Sequence, residues 1–390
     1  MRCETFRLGD ICTFIDYRGK TPPKTSNGIP LVTAKIIKNS MIQEPQEFIA
    51  ENYYNEWMRR GIPQKGDVIF TTEAPLGEVA RIKTDDKLAF AQRIIVLEPN
   101  TQQLNAGYLF YALQDIVLKN RIAARATGTT VIGIKAAELK KVEIDLPPLQ
   151  QQEKIADILS SLDDKIELNN KINNNLFEQA QAIFENEFLS LQSFPDGWKL
   201  ASLIDIADYL NGLAMQKYRP STDEIGIPVL KIKELRQGCC DDNSEFCSPS
   251  IKSDYIIHDG DVIFSWSGSL LVDFWCGGIC GLNQHLFKVS SNKYDKWFYY
   301  AWTKHHLDRF IAVAADKATT MGHIKRDELA KAEVLIPNEA DYNRIGALLQ
   351  PICDLIISNR IENKKLAKTR DSLLPKLMSG EIDMSEVEYE

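Results

Sequence analysis

Apolar residues recur every three to four positions in two long stretches of the chain, one starting near residue 150 and the other near 340. That spacing marks a helix buried along one stripe. Over 150–188 the stripe reads Ile155, Leu159, Leu162, Ile166, Asn169, Asn173, Leu176, Ala180 and Ile183. The second stripe reads Ile345, Leu349, Ile352, Ile356, Asn359, Asn363, Leu366, Arg370, Leu373 and Leu377. Roughly 40 residues at 1.5 Å each gives a rod of about 60 Å. Pro147-Pro148 precedes the first helix and Phe194-Pro195-Asp196-Gly197 follows it. Pro351, inside the second, predicts a kink or the first straight turn there.

Asparagine on an apolar seam costs stability and is best explained as fixing register. If the two helices pair antiparallel, Asn169 faces Asn363 while Asn173 faces Asn359, because both pairs of numbers sum to 532. The pairing has a pseudo-twofold near residues 171 and 361. The competing reading is two unrelated helices with solvated faces, and Arg370 on the seam speaks for it.

The stretches ahead of the two helices read as mixed α and β. Short apolar strands such as Asp67–Phe70, Ile94–Leu97 and Asp261–Phe264 are bounded by Gly, Pro and Asn. Helical stretches follow near Ala106–Ile122 and Tyr294–Ala314. The two halves also match each other. Residues 129–176 align without gaps on the residues 190 positions later: Thr129-Thr130 on Thr319-Thr320, Ile134-Lys135 on Ile324-Lys325, Glu138-Leu139 on Glu328-Leu329. Upstream, Gly66-Asp67-Val68-Ile69-Phe70 recurs as Gly260-Asp261-Val262-Ile263-Phe264, and Gln92-Arg93 corresponds to Gln284-His285. So long a period excludes a solenoid. The match is strong where each unit ends and weak across the roughly hundred residues before, as expected for one scaffold carrying two different heads.

Composition narrows the class. The chain has 390 residues, 44% hydrophobic and 26% charged, an ordinary globular make-up. No run approaches the 18 apolar residues of a membrane span. Met1–Arg7 carries no apolar signal segment and the eight cysteines read as reduced thiols, so the expectation is a cytoplasmic chain that meets no membrane. The net charge of −8 owes much to the acidic last ten residues and decides nothing about nucleic acid.

Several polar loops suit DNA. Lys20 and Lys24 lie in one basic loop, Lys217 and Arg219 in its counterpart. Thr129, Thr130 and Lys135 recur as Thr319, Thr320, His323 and Lys325. Hydroxyls and lysines suit phosphate, while Gln92, Arg93, Gln284 and His285 suit base edges. Taken singly each is as readily ordinary surface; their recurrence in both halves raises them above it. Known catalytic patterns are missing: neither Pro-Pro pair belongs to an adenine-methyltransferase motif, and Gly19-Lys20-Thr21 has Phe14 where a phosphate loop needs glycine. Cys276 and Cys280, with Cys239, Cys240 and Cys247 nearby, lack a recognisable zinc spacing; buried free thiols are the simpler reading.

Two variable heads, each followed by a long helix, with Leu146-Pro147-Pro148-Leu149-Gln150-Gln151-Gln152-Glu153 entering the first and Leu373-Leu374-Pro375-Lys376-Leu377-Met378-Ser379-Gly380 ending the second, resemble the specificity subunit of type I restriction–modification systems. The family commonly has Glu-Gln where this chain has Gln151-Gln152, and Ile336-Pro337-Asn338-Glu339 lacks the double proline. The resemblance implies an α+β fold with target-recognition domains at 1–147 and 192–337, spacer helices at 148–191 and 338–380 paired as an antiparallel coiled coil, and an acidic tail at 381–390. It implies a non-catalytic subunit that reads an asymmetric two-part sequence in double-stranded DNA. Two methyltransferase subunits and restriction subunits would be its partners, and S-adenosylmethionine, ATP and Mg would be bound only by them. The alternatives are an interfering DNA-binding scaffold without sequence reading, or an unrecognised nuclease.

Overall fold

A computed structural model of the chain describes residues 3–17, 21–316, 324 and 326–385. Two compact units emerge. The first joins Met1–Asp164 to Ala367–Glu390, and the second is Lys165–Leu366. Each therefore holds one head and stretches of both long helices.

Inside the first unit a four-stranded antiparallel sheet runs Cys12–Asp16, Ile94–Pro99, Val68–Thr72, Leu76–Arg81. A smaller sheet places Ile29–Val32 between Phe48–Ile49 and Ala89–Phe90. The first strand, Glu4–Arg7, pairs with Glu143–Leu146, the strand that leads into the helix. The second unit repeats the plan. Its sheet runs Asp208–Asn211, Leu286–Ser290, Val262–Ser265, Leu271–Phe274. Lys199–Ser202 pairs with Glu333–Ile336 as the counterpart of the opening pair.

The repeated Gly-Asp-Val-Ile-Phe has a structural job in both places. Gly66 (φ +101°) and Gly260 (φ +88°) take the left-handed backbone that a side chain resists. The next residue closes a tight turn: Asp67 accepts from the Gln64 N–H at 2.8 Å, and Asp261 from the His258 N–H at 2.9 Å. Val-Ile-Phe then enters the sheet fully buried, Val and Phe facing one core and Ile the other, as a period of two requires.

The helical stretch near Ala106–Ile122 is two helices, Ala106–Ala112 and Ile116–Ala123, because Asp115 caps the second by accepting from the Val117 N–H. Likewise 294–314 divides into Lys296–His305 and Leu307–Asp316. The first long helix spans Leu149–Phe184 and ends in a wider π turn, Glu185–Leu189. The second runs Glu339–Ser379 and continues through Pro351, a dozen residues in, so that proline is not its first turn.

The helices pair antiparallel within each unit. In the second unit Asn169 donates to Asn363 at 2.8 Å and Asn359 donates to Asn173 at 2.9 Å. Asn169, Asn173 and Asn359 are buried there, while Leu349 and Ile356 face the unit's core. Ile352 and Leu176 pack at the margin of that core, and Asn363, Ile166 and Leu366 are half-buried. In the first unit Ile155 and Leu159 are fully buried, with Leu377 in the same core, and Leu162 is half-buried. Arg370 sits on this seam with its charge met by Asp163 at 2.6 Å, which also accepts from the Tyr111 hydroxyl.

The helix start is fastened to its head by Gln152. Its oxygen accepts from the Asn105 N–H at 2.9 Å, and its amide nitrogen donates to the carbonyls of Gln103 and Pro147. The second unit uses Tyr342 at this place; its hydroxyl accepts from the Asp295 N–H at 2.7 Å. Among the described residues no helix is long and apolar enough to cross a membrane, and no group of His, Cys, Asp and Glu is arranged to hold a metal. Burial pushes the Cys240 and Cys276 thiols up to about 11.

Candidate nucleic-acid interface

In the first unit, strand Val68–Thr72 ends beside the start of strand Ile94–Pro99, and the loop 127–133 folds over the junction. Backbone bonds fix all three segments. The Thr72 N–H donates to the Arg93 carbonyl, and the Ile134 N–H donates to the Thr72 carbonyl, both at 2.9 Å. Thr127 and Gly133 exchange two bonds at 2.8 and 3.0 Å, and Gly128, at φ +129°, supplies the sharp turn between them. The result is a cleft of about 330 Å³ whose rim includes Glu73, Gln92, Arg93, Thr127 and Lys135. The Arg93 Nε lies 2.8 Å from Glu73 Oε1. Arg93 also has φ +72°, a left-handed backbone that is costly for a long side chain.

The second unit builds the same junction. The Trp266 N–H donates to the His285 carbonyl at 3.4 Å, and the Ile324 N–H donates to the Trp266 carbonyl at 3.0 Å. Trp266 thus stands where Thr72 stands, Ser267 where Glu73 does, and His285 where Arg93 does. The Ser267 hydroxyl lies 3.0 Å from His285 Nδ1. The Trp266 indole nitrogen donates to Asn211 at 3.0 Å, and its ring lies 6.3 Å from the His285 ring. Trp266 and Asn211 line an open basin with Lys288 and Arg326.

The residues singled out from sequence divide by location. Gln92, Arg93 and Lys135 share the first cleft, with exposed Thr129 and Thr130 on the loop above it. Gln284 and His285 sit side by side at the second junction, 3.4 Å apart. Lys24, Lys217 and Arg219 are not part of either junction. Lys24 pairs with Glu47 at 2.7 Å and Arg219 with Glu245 at 2.9 Å, while Lys217 is exposed in a short turn. Lys20, Thr319, Thr320, His323 and Lys325 lie outside the described residues. Sequence reading passed over Glu73, Asn211, Trp266 and Ser267. The signal available for three of them was position: Glu73 follows the repeated strand motif by three residues, and Trp266 and Ser267 by two and three.

The arrangement offers hydrogen-bonding groups on two strand ends, and among the described residues no group of His, Cys, Asp and Glu is arranged there to hold a metal. It is suited to recognition. Comparison with known proteins agrees. The family model described as type I restriction modification DNA specificity domain matches residues 2–178 and again 195–368. The MjaIX type I restriction enzyme specificity subunit of Methanocaldococcus jannaschii is 28% identical over 387 residues, covering 92% of this chain and 88% of the relative. The EcoKI specificity subunit of Escherichia coli strain K12 is 23% identical, covering 73% of this chain and 64% of its own. Among solved structures, the type I restriction-modification S subunit of M. genitalium covers 96% of both chains with a TM-score of 0.58 and 16% identity, a likeness of fold.

Proposed function

The chain belongs to the type I restriction modification DNA specificity family, and from that premise we propose that its two strand-end junctions are the surfaces that read DNA. Membership makes it a DNA-recognition subunit of a restriction–modification system, without catalysis of its own. The finer reading is that the first junction, with Gln92, Arg93, Lys135, Thr129 and Thr130, reads one half-site. The second, with Gln284 and His285, reads the other, and Thr319, Thr320, His323 and Lys325 are assigned to the same half-site by their match to the first unit.

One observation carries this. The same two backbone hydrogen bonds are built twice with a glutamine at the same place, although the left-handed backbone of Arg93 is not repeated at His285, and the side chains around them differ: Thr72, Glu73 and Arg93 against Trp266, Ser267 and His285. A frame kept constant under changed polar tips is what two readers of different sequences need. The target is therefore asymmetric and in two parts. Lys24, Lys217 and Arg219 lie on other loops and serve as phosphate contacts in this reading.

Catalysis falls to partners. We infer two methyltransferase subunits held by the paired helices, with restriction subunits added, and S-adenosylmethionine, ATP and Mg bound by those partners. The heads take residues 1–147 and 192–337 and the spacer helices 148–191 and 338–380. Linking two readers makes the second contact nearly intramolecular, which raises affinity without new contacts. Modified-base sequencing of DNA from cells carrying the cognate methyltransferase, with and without this chain, tests the reading. A two-part adenine-methylated motif that appears only with the chain is expected. An unchanged methylation pattern with both proteins present would contradict it.

A further inference from the structure

We propose that Arg93 reads a guanine in the half-site of the first unit and that Glu73 positions it, with Ser267 and His285 as the corresponding positioner and reader in the second unit. The inference rests on the DNA-reading function proposed above and specifies its chemistry.

The argument starts from how the ion pair is made. Glu73 engages Arg93 through Nε, 2.8 Å away. That ion pair is made at Nε and leaves the two terminal nitrogens of the guanidinium without an ion-pair partner among the described residues; they are the fork that matches O6 and N7 of guanine in a major groove. An arginine kept for phosphate gains nothing from a carboxylate at its root, since the negative charge weakens the hold on an anion. An arginine kept for a base gains orientation, because a long side chain otherwise scatters over many rotamers. The left-handed backbone at Arg93, φ +72°, points the same way: strain at a bulky residue persists where the surrounding structure fixes a side chain for use.

The second unit supplies an independent instance. At the equivalent places Ser267, buried to 2% exposure, holds His285 through Nδ1 at 3.0 Å. The chemistry has changed from carboxylate–guanidinium to hydroxyl–imidazole, yet the residue three past the repeated strand motif again contacts the residue after the glutamine that recurs in both halves. A chance surface ion pair in one head would not be matched by a chance hydroxyl–imidazole contact in the other. With Nδ1 engaged, His285 presents its Nε2 edge beside the amide nitrogen of Gln284.

The test uses the full chain assembled with its methyltransferase subunits, and reads the methylated motif base by base. Arg93→Ala should release one guanine position in one half-site to any base and leave the other half unchanged. Arg93→Lys should restore overall binding without restoring that guanine, since a point charge lacks the fork. Glu73→Gln should relax the same position more mildly. Duplexes carrying 7-deazaguanine there should bind the wild type about tenfold or more weakly and lose nothing further with Arg93→Ala. Unaltered selectivity in Arg93→Ala, a released position that is not guanine, or full rescue by lysine would each overturn the proposal. If the wild-type assembly shows no chain-dependent motif at all, the DNA-reading function itself fails, and this assignment with it.

Discussion

Asn359 donates a hydrogen bond of 2.9 Å to Asn173 across the paired helices, and both side chains are buried. A matched amide pair in an apolar seam is satisfied only in one register, since sliding either helix by a turn leaves two buried amides without partners. The contact is therefore a statement about alignment more than about strength.

Removing one partner should cost more than removing both. Asn173→Leu or Asn359→Leu strands one buried amide and should destabilise the second unit by about 1–3 kcal/mol. The double leucine variant should recover most of that loss. Urea unfolding of the four proteins in a double-mutant cycle checks this; additive losses would show that the pair does not act as a unit.

The two helix fastenings should differ in weight. Gln152→Ala leaves one N–H and two carbonyls without their side-chain partner, and should cost the first unit about 2–3 kcal/mol. Tyr342→Phe removes a single hydroxyl that accepts from Asp295 and donates to its carboxylate, and should cost the second unit about 1 kcal/mol. Local hydrogen exchange near residues 103–108 and 293–298 resolves the two effects.

These contacts show where the sequence was legible. Helices over 150–188 and around 345–377, and the opposition of Asn169 to Asn363 and Asn173 to Asn359, follow from a period of 3.6 and simple arithmetic. The role of Gln152 did not emerge, because an amide in a run of three glutamines gives no hint that one of them is buried. Arg370 counted against a packed seam until Asp163 supplied its countercharge. The proposed readers Gln92-Arg93 and Gln284-His285 stood out through repetition. Glu73 and Ser267 did not, since their meaning lies in a side-chain contact with a strand some twenty residues on. The division of 106–122 into two helices turned on the cap at Asp115, which periodicity does not reveal.

Acid should weaken the second unit through His306. Burial, with the charges of His305 and Arg309 nearby, holds this imidazole down at about 4, and its Nε2 bonds the Glu333 carbonyl at 2.8 Å. The unfolded chain takes up the proton near the ordinary 6.5 while the folded one does not. The stabilisation from the neutral ring is thus full above pH 6.5 and is lost as pH falls from 6.5 toward 4. Allowing for solvent screening, the loss is on the order of 1–2 kcal/mol. His306→Gln should be less stable than wild type at pH 7.5 yet fall less between pH 7 and 5 in urea titrations. An identical fall in both would remove His306 from the account.

Charge and readout should separate in DNA binding. Lys135 is exposed on the rim of the first cleft and forms no ion pair among the described residues. Lys135→Ala should weaken binding to all sequences alike and lower the salt dependence by about one phosphate contact. Gln92→Ala should instead reduce the preference for the target over unrelated DNA by about 1–3 kcal/mol, with the salt slope unchanged. Fluorescence anisotropy over a range of salt concentrations measures both quantities.

The most direct test of the central claim, that each junction reads its own half of the target, is modified-base sequencing with two paired variants, Gln92→Ala/Arg93→Ala and Gln284→Ala/His285→Ala. Each should degrade one half of the methylated motif and leave the bases of the other half and the gap between them untouched. If either pair alters both halves equally, or leaves the motif intact while methylation proceeds, the junctions are not the readers.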